Sequence, residues 1–275
     1  PNRYYLINLN SISATNGSSP ITTALAILNQ FRPDPSRTQL EQLASIGNSE
    51  YNGLIVELRR RFRPLGYGFG AAFRVVYTLS RLLDDGVVNT SSAQISGNFQ
   101  SEWSRALQDR RHRLAFSGTF DTPHWFGKLR FSPIVRFGSS APFNLSAGGI
   151  DRNLDDVNTD RPNFSGDLSS IVWREPNSAF PQEVLNGISY ATIGTNGGNL
   201  PRNSGTGPKL FLFDLNVSRE FKFSERIKLR PNIEFNNVFN ARVFTFSSTY
   251  ANGGFINANA DSSLFLVPTR TSRPR

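Results

Sequence analysis

The chain has no cysteine and no methionine, only two histidines and only four lysines among 275 residues that carry a net charge of +9. Without cysteine there are no disulfides and no thiolate metal centres. With His112 and His124 as the only imidazoles, little is left for histidine-based catalysis. A Gly-x-Ser-x-Gly elbow and a glycine-rich phosphate loop ahead of a helix are missing as well, so no catalytic residue is assigned and no enzymatic activity is expected. Long apolar runs are also lacking. No stretch approaches the roughly 18 to 20 residues that a transmembrane helix requires, which excludes a helical membrane protein. Mean hydropathy is -0.34 and 38% of residues are hydrophobic, values that suit a soluble domain. They equally suit a membrane barrel, because alternating strands hide their apolar half from any averaged score. Methionine is missing even at position 1, where Pro1 stands. The expectation is an excised or processed chain with no signal peptide left to read.

The positive charge comes almost wholly from arginine, scattered along the chain, with one cluster at Arg59, Arg60, Arg61 and Arg63. That cluster falls where a strand runs into a turn, with no aromatic residues interleaved on one face. It reads as a solvated turn or a headgroup contact, and no nucleic-acid partner is expected.

What is present is period-two alternation. From Lys209 onward, Phe211, Phe213, Leu215, Val217, Arg219, Phe221 and Phe223 alternate with Asp214, Asn216, Ser218, Glu220 and Lys222. After Ser224 and Glu225 the pattern resumes, with Ile227, Leu229, Pro231, Ile233 and Phe235 facing one way and Arg226, Lys228, Arg230, Asn232, Glu234 and Asn236 the other. This is a long antiparallel hairpin. Each run exceeds the usual five or six residues of a soluble strand and suits a membrane-crossing strand of about 9 to 11 residues. Phenylalanines toward both ends of the first run flank Leu215 and Val217, as aromatic girdles flank an aliphatic band. Arg219, on the apolar face, belongs toward the turn, where it can snorkel.

The same pattern recurs upstream. Arg3 to Leu9 reads as the tail of a strand. Tyr51 to Phe62 places Leu54, Val56, Leu58 and Phe62 on an apolar face, and Tyr67 to Ser80 sets Phe69, Phe73, Val75, Tyr77 and Leu79 against glycines and small residues. Asp109 to Phe120 and Lys128 to Ser140 form a further pair. Short turns at Arg63 to Gly66, Asp121 to Gly127 and Ser224 to Glu225 alternate with long loops at 10–49, 81–108, 141–208 and 241–275. In the first loop Ser19 and Pro20 open a short helix through Phe31, and Ser36 with Gln39 has the spacing of a capping box. In outer-membrane barrels short turns face the periplasm and long loops face outward. The fold class expected is therefore all-β, an antiparallel transmembrane β-barrel segment: one domain, 1–275, forming an open curved sheet of about seven long strands. Tyr67 and Trp125, near turns, would be interface anchors, and His112 would make a hydrogen bond at the rim.

One acidic stretch has ligand-like spacing: Asp151, Asn153, Asp155, Asp156, Asn158 and Asp160. Alternating oxygen donors suit a hard cation, and Asp151, Asn153, Asp155 and Asp160 are the calcium candidates. Asp156 stands where an EF-hand needs glycine and Pro162 where it needs glutamate, so a solvated acidic loop is the plainer reading. No other cofactor is expected.

Several motifs taken in order resemble the C-terminal barrel part of a TonB-dependent outer-membrane receptor of the Oar-like kind. They are GNSEYNGLIVELRRRF (Gly47 to Phe62), FRVVYTLSRLLDD (Phe73 to Asp85), DRRHRLAFSG (Asp109 to Gly118), NTDRPN (Asn158 to Asn163), RNSGTGP with FDLNVSREF (Arg202 to Phe221) and NVFN (Asn237 to Asn240). The resemblance implies a bacterial outer-membrane location and energy-coupled uptake of a scarce nutrient. Its partners would be outer-membrane lipid, the TonB complex through regions outside this chain, and an extracellular substrate held by the outer loops and lumen face. It also implies that the plug, the TonB-contacting segment and a closing strand lie outside these residues, in a barrel of about 22 strands. A soluble carbohydrate-binding or adhesive sandwich and a passive pore are the rival readings.

Overall fold

The computed structural model describes residues 45–86, 93–147, 152–155, 160–175, 177–179, 181–192, 194–245, 255–257, 265–268 and 270–271. The expected strand at Arg3 to Leu9, the helices and capping box of the first loop and most of the last loop lie outside them. Six wall strands run as an antiparallel meander: β1 (Ser49–Gly66), β2 (Phe69–Asp84), β3 (His112–Asp121), β4 (Leu129–Gly138), β5 (Leu210–Arg219) and β6 (Asn232–Phe235). Each pairs with the next in sequence, and the sheet is open among the described residues. No described helix is long and apolar enough to cross a membrane.

Register fixes the faces, because residues directly opposite point the same way. Leu54 faces Leu79, Val56 faces Tyr77 and Leu58 faces Val75. Val75 faces Phe116 and Tyr77 faces Leu114, Phe116 faces Val135, Phe213 faces Val135 and Val217 faces Phe131, and Ile233 faces Val217. One side of the whole sheet is thus an apolar belt. The other carries Arg74, Thr78, Ser117, Ser132, Asp214, Asn216 and Glu234. The belt is not a core: Leu54 and Leu58 are each 59% exposed. Aliphatic side chains in such a continuous row on a sheet surface make sense only against a nonaqueous solvent.

Two details depart from the sequence expectation. β1 continues through Gly66, so the first turn is Tyr67–Gly68 rather than Arg63 to Gly66. Both turn residues have positive φ, 49° and 82°, which matches the right-handed strand twist of a two-residue hairpin and suits glycine at the second position. The register also slips between Arg60 and Arg63, where Arg60 faces Phe73 but Arg63 faces Ala71. The extra residue of this bulge moves Phe62 off the apolar face and onto the inner one, where its ring covers Gly70. A Cβ at position 70 would lie 2.5 Å from that ring.

The buried apolar core lies in the long loops. Phe143, Leu145, Phe164, Ile171, Val184, Leu200, Phe265 and Leu266 pack together, with Trp173, Leu185 and Ile188 against them. Short strands frame this cluster: Pro142–Ser146 pairs with Gly205–Thr206 and with Phe255–Asn257, and Asn163–Phe164 pairs with Ile188–Ser189. A helix, Gln182–Gly187, buries Val184. Loops expected to be irregular therefore fold into one packed cap at the outward end. Each fully buried side chain there contributes roughly 1.5 to 3 kcal/mol. The cap stands on the tallest hairpin: β1 and β2 reach beyond the top of β3, and Leu83 and Asp84 pair with a short strand, Ser104–Arg105.

Candidate functional site

Alternation puts charged residues on the inner face, and register places opposite charges on neighbouring strands. Arg74 donates to both carboxylate oxygens of Glu57, at 2.8 and 3.0 Å. Arg130 does the same to Asp121, at 2.7 and 2.8 Å, and Arg136 donates to Asp214 at 3.0 Å. Arg230 pairs with Glu220. Exposed pairs of this kind add little stability, because water screens them. Their effect is to line the inner face with charge. At the turn end they surround a cavity of about 750 Å³ bounded by Asp121, Lys128, Arg130, Glu220, Lys222 and Arg230.

Toward the outward end the balance changes. A second cavity, about 660 Å³, is bounded by Val76, Thr78, Leu107, Arg110, Arg113, Ala115, Arg136 and Leu210. Its lining includes three arginines and no carboxylate. Arg110 donates to the Ser139 carbonyl at 2.8 Å and Arg113 to the Gln108 carbonyl at 2.9 Å. Arg110 lies just above the strand, partly buried. Burial first, and then the charge of Arg113, hold its guanidinium below its ordinary pKa.

Above this cavity the cap is held by a buried ion network. Glu102 and Arg161, nearly inaccessible, form a two-pronged pair at 2.7 and 2.9 Å. The same carboxylate accepts the Gln94 amide at 3.0 Å. Arg161 also donates to the Leu200 carbonyl at 2.8 Å, while Arg202 pairs with Asp84 at the top of β2 and donates to the Glu102 carbonyl at 3.0 Å. Gln94 ties in a further stretch of the same loop through the carbonyls of Asn196 and Gly198, at 3.1 and 2.8 Å. Two long loops, 81–108 and 141–208, and the wall are thereby joined through groups whose charges are fully partnered, the condition under which burial of ions is tolerated.

An apolar belt, a charged inner face, short turns at one end and a packed cap at the other are the features of a barrel wall in a membrane. The family model described as "Outer membrane beta barrel domain" matches residues 2–272. The chain belongs to this family. No curated protein matches it. As an outer-membrane barrel domain it resides in the bacterial outer membrane, its turns at Tyr67–Gly68, 122–128 and 223–227 in the periplasm and its cap outside, and the soluble-sandwich reading is set aside.

The barrel places the sequence-derived candidates as follows. Asp160 is buried, and its Oδ2 accepts the amides of Arg152 and Asn153 at 2.5 and 3.0 Å. Asn153 accepts the Asp155 amide at 3.1 Å and donates to the Gln94 carbonyl at 2.5 Å. These oxygens organise loop backbone, and Asp151 lies outside the described residues. Among the described residues no three histidine, cysteine or acidic groups stand close enough together to hold a metal ion. His112 sits at the outer end of β3, with its Nδ1 2.8 Å from the Tyr77 hydroxyl. Tyr67 is 95% exposed and Trp125 72% at the periplasmic turns, where Trp125 meets Phe69 edge to face. Arg219 lies over the Phe221 ring at 4.7 Å, next to the last turn.

Sequence reasoning missed the arginine-lined cavity and the cap network. Arg110 and Arg113 fall within DRRHRLAFSG, Arg161 within NTDRPN and Arg202 within RNSGTGP. For Arg110 and Arg113, arginine next to the end of an alternating run was the available signal. Nothing near Glu102 marked it.

Proposed function

We propose that this barrel is the wall of a TonB-dependent receptor that takes up a scarce extracellular nutrient. The observation that carries the reading is the cap: a packed, ion-paired outer structure standing over a charged lumen. A passive pore gains nothing from eight buried apolar side chains above its mouth, whereas a receptor needs a rigid surface to select its ligand before transport. The motifs shared with Oar-like receptors point the same way. Energy coupling follows from that likeness and not from any residue of the wall. The test uses the full-length protein from its native membrane. In planar bilayers it is expected to stay closed, and it is expected to bind the periplasmic domain of TonB from the same bacterium. Steady conductance together with no TonB binding would establish a passive pore instead.

A further inference from the structure

We infer that the outward cavity on the lumen face is a binding site for an organic oxyanion, a carboxylate or phosphate ester with an apolar body. Its polar rim is Arg110, Arg113 and Arg136, and no carboxylate lines it. A guanidinium has five N–H donors. Arg110 and Arg113 each have a carbonyl partner, and Arg136 has a bond to Asp214, so donors remain on all three for a ligand. Planar forks of this kind match carboxylate and phosphate oxygens. The charge of a bound anion offsets both the burial and the like charge that work against the Arg110 cation.

The rest of the lining limits the ligand. Val76, Leu107, Ala115 and Leu210 give the cavity an apolar floor, which a fully hydrated inorganic ion does not use. A volume near 660 Å³ is within the range of about 300 to 1,000 Å³ common to small-molecule sites. The contrast with the periplasmic cavity is informative. There Asp121 and Glu220 stand among the cations and occupy Arg130 and Arg230, whereas arginine is the only charged side chain lining the cavity under the cap, where an incoming solute arrives first.

The inference supplies the substrate class for the uptake proposed above and rests on that reading only for the direction of movement. Its test is equilibrium binding, which needs no energy coupling, so the two readings fail separately. Titration calorimetry of the full-length protein in zwitterionic detergent at low salt would use phenyl phosphate and benzoate, with neutral benzamide as the control. The anions are expected to bind and benzamide not to bind. Arg110→Gln with Arg113→Gln is expected to weaken anion binding at least tenfold, while Arg110→Lys with Arg113→Lys keeps part of it. Should the glutamine variant fail to fold, the unmodified protein still decides the matter. Phenyl phosphate, but not benzamide, is then expected to protect Arg110 and Arg113 from phenylglyoxal, as read by peptide mass spectrometry. Equal binding of benzoate and benzamide, undiminished binding by the glutamine variant, or no protection would each overturn the inference.

Discussion

Replacing Leu215 with arginine separates the two faces of the wall in a single experiment. Leu215 is the sixth residue of the ten in β5, between Pro133 on one neighbour and Phe235 on the other. At about 3.3 Å per residue and a tilt near 45°, it lies roughly 9 to 12 Å along the membrane normal from either end of the strand, close to the middle of the apolar belt. An outward arginine there costs about 2 to 4 kcal/mol, a roughly 30- to 700-fold loss in the folding equilibrium. Asn216, one residue on, points inward and bonds to Glu234 at 3.3 Å. Arginine at 216 keeps a carboxylate partner and stays in water, so its effect is expected to be within about 0.5 kcal/mol of zero. Folding of the full-length protein from urea into lipid vesicles, followed by heat-modifiable gel mobility, measures both. A larger cost at 216 than at 215, or equal costs, would refute the assignment of faces.

Glu102→Ala leaves Arg161 buried without its partner and is expected to cost the cap about 3 to 5 kcal/mol, seen as faster proteolysis of residues 141–208 on intact cells while barrel mobility is unchanged. Gly70→Ala crowds the Phe62 ring and is expected to cost about 1 to 3 kcal/mol by overpacking, with Phe62→Ala in the same chain relieving much of it. Strict additivity in that double-mutant cycle would show that the ring does not rest on Gly70. Asp167, in the cap, accepts the Ser169 hydroxyl at 2.6 Å and amide at 2.9 Å, and these bonds hold its carboxyl below the ordinary value. Its contribution is present above an unfolded pKa of about 3.9 and is lost as pH falls through the lower folded value. The protection factor of the Ser169 amide, with the intrinsic pH dependence of exchange divided out, is expected to fall on acidification in the native protein and to lose that pH dependence in Asp167→Asn.

The wall was legible because every second residue of a strand meets a different solvent. Phe211, Leu215 and Val217 against Asp214, Asn216 and Ser218 report lipid on one side and water on the other, and register adds little to what that alternation already requires. Phe62 escaped for a local reason: a bulge inserts one residue and inverts the parity that the alternation relies on, and sequence marks it only by the glycine at position 70 that makes room for the ring. The cap escaped for a different one. Its core residues stand at irregular separations, Phe143, Leu145 and Phe164 on strands of five and two residues, Val184 on a six-residue helix, and Ile171 and Leu200 outside any strand or helix, all too short for either period to develop. The pairs that join them are non-local, with Glu102 and Arg161 separated by 59 residues. A membrane wall repeats because its surroundings are uniform along the strand. The cap's loops have no such uniform surroundings, and no periodic constraint acts on them. The one charge pattern that crosses from wall to cap, the run Arg110, Arg111, His112, Arg113, lies where alternation ends, and it supplies two of the three arginines that the cavity presents.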